Sequence, residues 1–152
     1  MGEVTGIVGI AECVSNCTVI VSKIALASHD AVKDSAEILK NKMVELAPRW
    51  TGNLQDVAIQ SVEVELNTFV VGPDMAIAPY APFMEYGHPD PYLPNMDNIT
   101  PWAEDHGMSG EQAVATIAKH GFKAHPFIHP AMELSKPEIE EKLAGMSAII
   151  SL

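Results

Sequence analysis

A run of helical periodicity over residues 19–46 limits most strongly what this chain can fold into. Apolar residues recur in it at intervals of three and four, the spacing that keeps them on one face of an α-helix. They are Val21, Ala25, Val32, Ala36, Leu39, Met43 and Leu46. Pro48 ends the run, because the residue before a proline is disfavoured in helical backbone. A helix of this length extends about 40 Å. The sequence therefore predicts one long helix whose apolar face lies across a sheet.

The preceding segment, residues 1–18, is rich in glycine, valine and isoleucine, and its only charged residues are Glu3 and Glu12. Its apolar residues are typical of a strand or an apolar arm, and three glycines argue against a helix: Gly2, Gly6 and Gly9. Two alternatives stay open. The segment is either a strand in the domain's own sheet or an arm that reaches a neighbouring subunit.

A β-hairpin is predicted after the long helix. Residues 57–66 alternate between apolar and polar, with a change of phase near Ser61 that indicates a bulge or a bend. Asn67 and Thr68 can turn the chain into a second strand over residues 69–72.

The C-terminal half is predicted to be helical after a proline-rich loop over residues 88–94. One helix is expected to begin at Thr100 with Pro101 in its first turn and to stop at Gly107. Ser109 and Gln112 form a capping box that opens a second helix, ending at His120. A last helix is expected from Pro130, recapped by Ser135 and kinked around Pro137. The predicted fold class is α+β: a long N-terminal helix on a small, mostly antiparallel sheet, with short C-terminal helices. Residues 19–152 are expected to form one domain, with a helical insertion at about 88–123.

Residues 78–87 form the densest cluster of aromatic residues and prolines in the chain. Pro79 and Pro82 favour extended backbone before them, and residues 83–86 are predicted to form one helical turn that Gly87 ends. Glu85 is the only carboxylate in this cluster. If it is buried, it needs Arg49, a group of backbone N–H donors or a partner subunit to hold it. Core packing and a binding role are both compatible with the pattern.

The charge of the chain bears on its partners. Its formal net charge is −11, and its nine basic residues form no cluster, so tight binding to nucleic acid is excluded. An acidic surface can still line a channel through which DNA slides without sticking. Cys13 and Cys17 are too few for a disulfide framework. No secretory signal and no uninterrupted apolar run of membrane-spanning length is found, so we expect no membrane partner and assembly in the cytoplasm.

Catalysis is the competing interpretation. Burial among aromatic residues could raise the pKa of Glu85 and make it a general acid, and three histidines invite a metal site: His120, His125 and His129. Their spacing does not place them on one helix face, and no ligand set is complete. A small hydrolase or metal-binding protein using these residues is therefore the alternative of another class. We expect no enzyme activity, no metal and no cofactor.

Three short segments resemble the signatures of one family. Residues 46–54 (LAPRWTGNL) resemble the pattern Ala-Pro, two residues, Thr-Gly-x-Leu. Residues 80–87 (YAPFMEYG) are similar to Tyr-Ala-x-x-x-Glu-aromatic-Gly, and residues 124–131 (AHPFIHPA) to a Pro-Phe and a Pro-Ala that flank two variable residues. These are signatures of the small tail-completion, or neck, proteins of tailed double-stranded DNA phages. The resemblance covers residues 20–145. The residue before Thr-Gly is usually acidic in the family and is Trp50 here, and residues 1–18 have no counterpart.

The resemblance implies a structural virion protein: a tail terminator whose ring, commonly hexameric, joins the tail tube to the neck of the head. The implied partners are other copies of the chain, the tail tube protein and a neck or head-closure protein, and DNA passes through the ring without specific binding. The alternative within the class is a head-closure or adaptor ring. The motif positions are candidates for subunit contacts: Trp50, Thr51, Gly52, Leu54, Tyr80, Phe83, Glu85, Tyr86, Gly87, Pro126, Phe127 and Pro130.

Overall fold

The longest element is one helix, α1 (Ile10–Leu46). The structure is a computed structural model that describes residues 9–49, 52–88, 90 and 92–150. After Leu46 the chain leaves the helix at Ala47, whose backbone is extended (φ −62°, ψ 134°) because Pro48 follows it. The predicted long helix and its end are confirmed. Its predicted start is wrong.

Residues 10–18 are helical, which corrects the expectation of a strand there, whereas an arm that reaches a neighbouring subunit stays a prediction. The glycines that argued against a helix stand at or before position 9, and residues 10–46 contain neither glycine nor proline. The Thr18 hydroxyl donates to the carbonyl of Val14 at 2.9 Å, so its polar group is satisfied within the helix. Residues 1–8 lie outside the described part of the chain.

The sheet of the described residues is a two-stranded antiparallel hairpin, β1 (Ile59–Glu65) and β2 (Thr68–Pro73). Asn67 turns the chain with a left-handed backbone (φ 61°), as the sequence predicts. The bulge lies between Glu63 and Glu65 and not near Ser61. Between α1 and the hairpin lies a π-helical segment, Asn53–Ala58.

The hairpin tip meets α1 at His29. The His29 Nδ1 atom lies 3.2 Å from Asn67 Oδ1 and 3.4 Å from Glu63 Oε1. The His29 ring also lies 6.0 Å from the Phe69 ring. Because Glu63 and Phe69 are cross-strand partners, this face of the hairpin is the one that rests on α1.

The chain ends in a long helix, α5 (Ile128–Ile150), which runs antiparallel beside α1. At one end Ala131 packs in the same buried cluster as Met43, and further along Lys142 Nζ lies 3.1 Å from Asp34 Oδ2. Two buried serines, Ser35 and Ser135, lie on these helices. The structure does not show the predicted recapping at Ser135, because α5 is continuous through Pro137.

Three helices separate the hairpin from α5: α2 (Ala81–Tyr86), α3 (Met96–Asp105) and α4 (Gly110–His120). The short helix α2 and the Ser109–Gln112 capping box are confirmed. The predicted start of α3 at Thr100 is wrong, because the helix is capped by Asn95, whose side chain accepts from the Asp97 N–H at 2.8 Å. Pro101 therefore lies inside α3.

The fold is α+β, as predicted, with α1 packed on the hairpin and against α5. Its central core is a cluster of nine buried apolar side chains. They are Met43, Ala47, Leu54, Ala58, Ile59, Ala78, Ala81, Phe127 and Ala131.

Candidate functional site

The three signature segments converge on this one core. The first segment contributes Ala47 and Leu54, and the second contributes Ala81. The third contributes Phe127 and Ala131, both fully buried. Residues far apart in the sequence therefore form one packed unit, and the small alanines allow the backbones to approach closely.

Glu85 joins the second segment to the third. Its carboxylate accepts three backbone hydrogen bonds from the start of α5: Oε2 from the N–H groups of Phe127 and Ile128, each at 2.8 Å, and Oε1 from that of His129 at 2.9 Å. We call this arrangement the Glu85 cap. Glu85 is only 6% exposed, so these bonds lie away from bulk water. The anticipated cluster of backbone N–H donors holds this carboxylate.

The Glu85 cap accounts for the N–H groups that a helix start leaves unpaired. The first N–H groups of a helix have no partner within it. At the start of α5 the N–H groups of Phe127, Ile128 and His129 donate to Glu85. The next residue is Pro130, which has no N–H. The next N–H, that of Ala131, donates to the Phe127 carbonyl at 3.2 Å. A negative charge at this end also complements the helix dipole.

The charge state of Glu85 follows from these contacts. Burial by itself raises the pKa of the carboxyl, but the backbone hydrogen bonds from Ile128, His129 and Phe127 and the nearby His129 outweigh it, so the pKa lies below its ordinary value. This corrects the interpretation of Glu85 as a general acid with a raised pKa. A carboxylate held ionised by three donors does not supply a proton near neutral pH.

Gly87 allows the two segments to approach. Its backbone is left-handed (φ 68°), and a Cβ atom on it would lie 2.7 Å from the Ala124 nitrogen and 2.8 Å from the Phe122 oxygen. Next to it, His88 and Phe122 exchange two backbone hydrogen bonds of 2.8 and 2.7 Å. The glycine of the second signature is thus required by both its conformation and its surroundings.

Gly52 has the corresponding place in the first segment. Its backbone is also left-handed (φ 85°), and its carbonyl accepts from the Asp56 N–H at 2.7 Å. Leu54 follows it and is buried. The candidates Trp50 and Thr51 lie outside the described residues.

The signature residues divide by exposure. Gly52, Leu54, Glu85 and Phe127 are buried within their own chain, so they are not available to contact a neighbour. Phe83 is 42% exposed and Tyr86 79% exposed, and Pro126 is also exposed. Tyr80, Gly87 and Pro130 are half-buried, and burial raises the pKa of the Tyr80 hydroxyl. Among the described motif residues, the buried ones therefore build the fold, and the exposed Phe83, Tyr86 and Pro126 are available for contacts.

A cleft of about 740 Å³ lies between the signature segments and α3. Five aromatic side chains contribute to its lining: Tyr80, Phe83, Tyr92, Trp102 and Phe122. The Phe83 and Tyr92 rings stack with centroids 6.0 Å apart, and the Trp102 and His106 rings with centroids 4.5 Å apart. This cleft is not predictable from the three signatures, because Tyr92 and Trp102 stand outside them.

The side chains that line the cleft are mostly aromatic and apolar. The ionisable side chains among its described lining residues are Arg49, His106, His125 and the tyrosines, and no Asp, Glu, Ser or Cys lines it. The histidine hypothesis receives no geometric support either: the described residues contain no group of three His, Cys, Asp or Glu able to hold a metal ion.

Comparison of the chain with protein-family models, with curated proteins and with solved structures finds no match.

Proposed function

We propose that this chain is a structural virion protein of a tailed double-stranded DNA virus, a tail terminator that forms a ring between the tail tube and the neck. The observation that carries the proposal is the amount of apolar surface that the chain leaves exposed around a well-packed core. Large exposed apolar patches on soluble proteins mark interaction surfaces. Here they include Tyr86 and Leu93, which are 79% and 78% exposed, and most of the first half of α1.

The packing of the signature segments supports the same function. A ring subunit needs corners that keep one shape, because rigid contact loops lose little entropy when copies associate. The Glu85 cap and the close approach at Gly87 fix the second and third segments against each other. Phe83 and Tyr86 are thereby presented on a short, rigid helix.

The charge of the chain fits a ring through which DNA passes. Each copy carries a formal net charge of −11, and a ring multiplies this charge around its channel. DNA is repelled by such a wall and can slide through without specific contacts.

The test is the assembly state of the purified chain. Light scattering and native mass spectrometry are expected to show a closed oligomer, and negative-stain images a ring that binds the cognate tail tube protein. Tyr86→Ala is expected to keep its circular dichroism spectrum and melting temperature but to assemble less well, because Tyr86 is exposed in the single chain. A chain that stays monomeric over the accessible concentrations and does not bind tail tubes contradicts the proposal.

A further inference from the structure

The first part of α1 extends beyond the rest of the domain. Every residue over 10–23 is exposed, whereas burial begins further along the helix and reaches Ser35 and Ala36. We call residues 10–23 the overhang. At 1.5 Å per residue it is about 20 Å long. Its exposed side chains include Ile10, Val14 and Val21, which are 59%, 60% and 65% exposed.

The apolar stripe of the overhang continues the buried face of α1. Residues spaced by three or four share one side of a helix. Ile10, Val14, Cys17 and Val21 follow this spacing, and the same series leads through Ile24, Ser28 and Ala31 to the buried Ser35. The overhang thus exposes the face that the second half of α1 packs against its own domain.

The opposite side of the overhang is polar, which identifies the kind of partner. Positions 12, 16, 19 and 23 share that side, at intervals of four, three and four. They hold Glu12, Asn16 and Lys23, with Val19 between the last two. By length and composition α1 could cross a membrane, since an 18-residue window in it has mean hydropathy 1.5, but core helices of soluble proteins pass the same test. Lipid surrounds a spanning helix on all sides and disfavours such a polar stripe. A partner that covers one side fits better.

A second unpaired apolar surface lies on the hairpin. Val62 and Val70 are cross-strand partners and point away from α1, because their neighbours Glu63 and Phe69 face His29. They are 48% and 58% exposed. We call the surface formed by Val62 and Val70 the outer face of the hairpin. The seven residues of β1 extend about 23 Å, which matches the length of the overhang.

One chain cannot bring its own overhang to its own outer face. The hairpin tip meets α1 at His29, six positions beyond Lys23 or about 9 Å along the helix axis. The helix is continuous between these residues and does not fold back. The two surfaces can therefore meet only between different copies.

We propose that the overhang of each copy lies across the outer face of the hairpin of the next copy. This inference rests on the ring proposed above. The hairpin would then be covered on both faces, on the inside by its own α1 at His29 and on the outside by the apolar stripe of the neighbour's overhang. The contact joins two different surfaces, so copies add head to tail, and such a series closes into a ring when the rotation between copies permits.

Disulfide trapping tests this arrangement, because Cys13 and Cys17 are the only cysteines and both are exposed on the overhang. In Val62→Cys, oxidation is expected to give a ladder of covalent multimers that reduction abolishes. Within one copy Cys17 lies about 18 Å beyond the level of the hairpin tip, too far for a disulfide. Ser61→Cys is the matched control: the adjacent side chain points towards α1, and no ladder is expected.

Charge substitutions provide a second readout. Val21→Asp places a carboxylate on the stripe, and Val19→Asp places one on the opposite side. Val19 is 50% exposed in the wild type. Both are expected to keep the melting temperature of the single chain. Only Val21→Asp is expected to weaken assembly, by at least about tenfold in Kd.

The outcomes separate the inference from the proposed function. A ladder in Val62→Cys but not in Ser61→Cys supports the contact. A ring that forms without the ladder, or a wild-type chain that gives only disulfide dimers between overhangs, overturns the contact but leaves the terminator proposal standing. A chain that is monomeric in every variant overturns both.

Discussion

Removal of the Glu85 carboxylate is the most direct perturbation of the unit that the three signatures build. Glu85→Ala deletes the acceptor of three backbone N–H groups at once. Hydrogen bonds to a charged group contribute about 1.5–3 kcal/mol each, but the three share one carboxylate, and water can reach the exposed His129 more easily than the buried Phe127. We therefore expect the free energy of unfolding to fall by about 3–5 kcal/mol, as when one partner of a buried ion pair is removed.

A loss of this size is a large part of the stability of a domain, which is typically about 5–15 kcal/mol. Urea unfolding followed by circular dichroism measures it directly. In thermal unfolding the expected decrease in melting temperature is about 6–20 °C, from about 2–4 °C per kcal/mol for a chain of this size. Both measurements belong at a protein concentration where the chain is monomeric, because assembly adds stability of its own.

Two further variants separate the cause. Glu85→Gln keeps the volume but loses the charge and turns amide hydrogens towards the N–H donors, so we expect it to lose about 2–4 kcal/mol. Glu133→Gln changes an exposed glutamate on α5 and is expected to stay within about 0.5 kcal/mol of the wild type. The reasoning is refuted if Glu85→Ala and Glu85→Gln both unfold like Glu133→Gln. If only the alanine variant is destabilised, packing and not the cap is responsible.

Three further results are expected. The pKa of Glu85 is lowered in the folded state, so the carboxylate stabilises the fold fully above its ordinary pKa of about 4.3. This stabilisation is lost as the pH falls through the lower folded pKa. Urea unfolding measured from about pH 6 down to about pH 2.5 should therefore show a shallower pH dependence for Glu85→Gln than for the wild type. Gly87→Ala should lower the free energy of unfolding by about 2–4 kcal/mol and Gly107→Ala by about 1–2 kcal/mol. Both glycines have positive φ, but of these two only Gly87 has backbone atoms within 3 Å of a new Cβ. Equal losses in urea unfolding would argue against the close approach at Gly87. Phe127→Ala should cost about 3–5 kcal/mol and the partly exposed Phe83→Ala less than about 1.5 kcal/mol, by the same assay; the reverse order would place the wrong ring in the core.

Local signals predicted the elements that local chemistry determines. The end of α1 before Pro48, the turn at Asn67, the helix ended by Gly87 and the Ser109–Gln112 capping box each depend on a few adjacent residues, and all appear in the structure. The start of α3 was misassigned because two caps compete there. Asn95 is the stronger one and begins the helix earlier, and Pro101 is then carried inside it.

The Glu85 cap could be anticipated only as one of several possibilities, because its partners lie more than 40 residues away along the chain. One signal was present. The last helix begins directly after Phe127, which has no side-chain acceptor, and Pro130 lies in its first turn. A helix start without a local capping residue requires an acceptor from elsewhere, and a carboxylate embedded in an apolar cluster requires donors. The helix start without a capping residue and the carboxylate without a donor can each satisfy the other, so the two together predict the contact.

The wrong prediction for residues 10–18 has a physical cause that also bears on assembly. Valine, isoleucine and threonine favour strands when they are considered one at a time, and α1 is helical there all the same. The period of the pattern carries more information than its composition: the stripe through Val14 and Val21 keeps the phase of the buried residues near Ser35. A helix face exposed for about 20 Å gains nothing from its apolar side chains in the single chain. Burial of this face in the assembled state explains why its apolar period continues beyond the domain. Comparison of Val21→Asp with Val19→Asp measures whether one side of the overhang is covered.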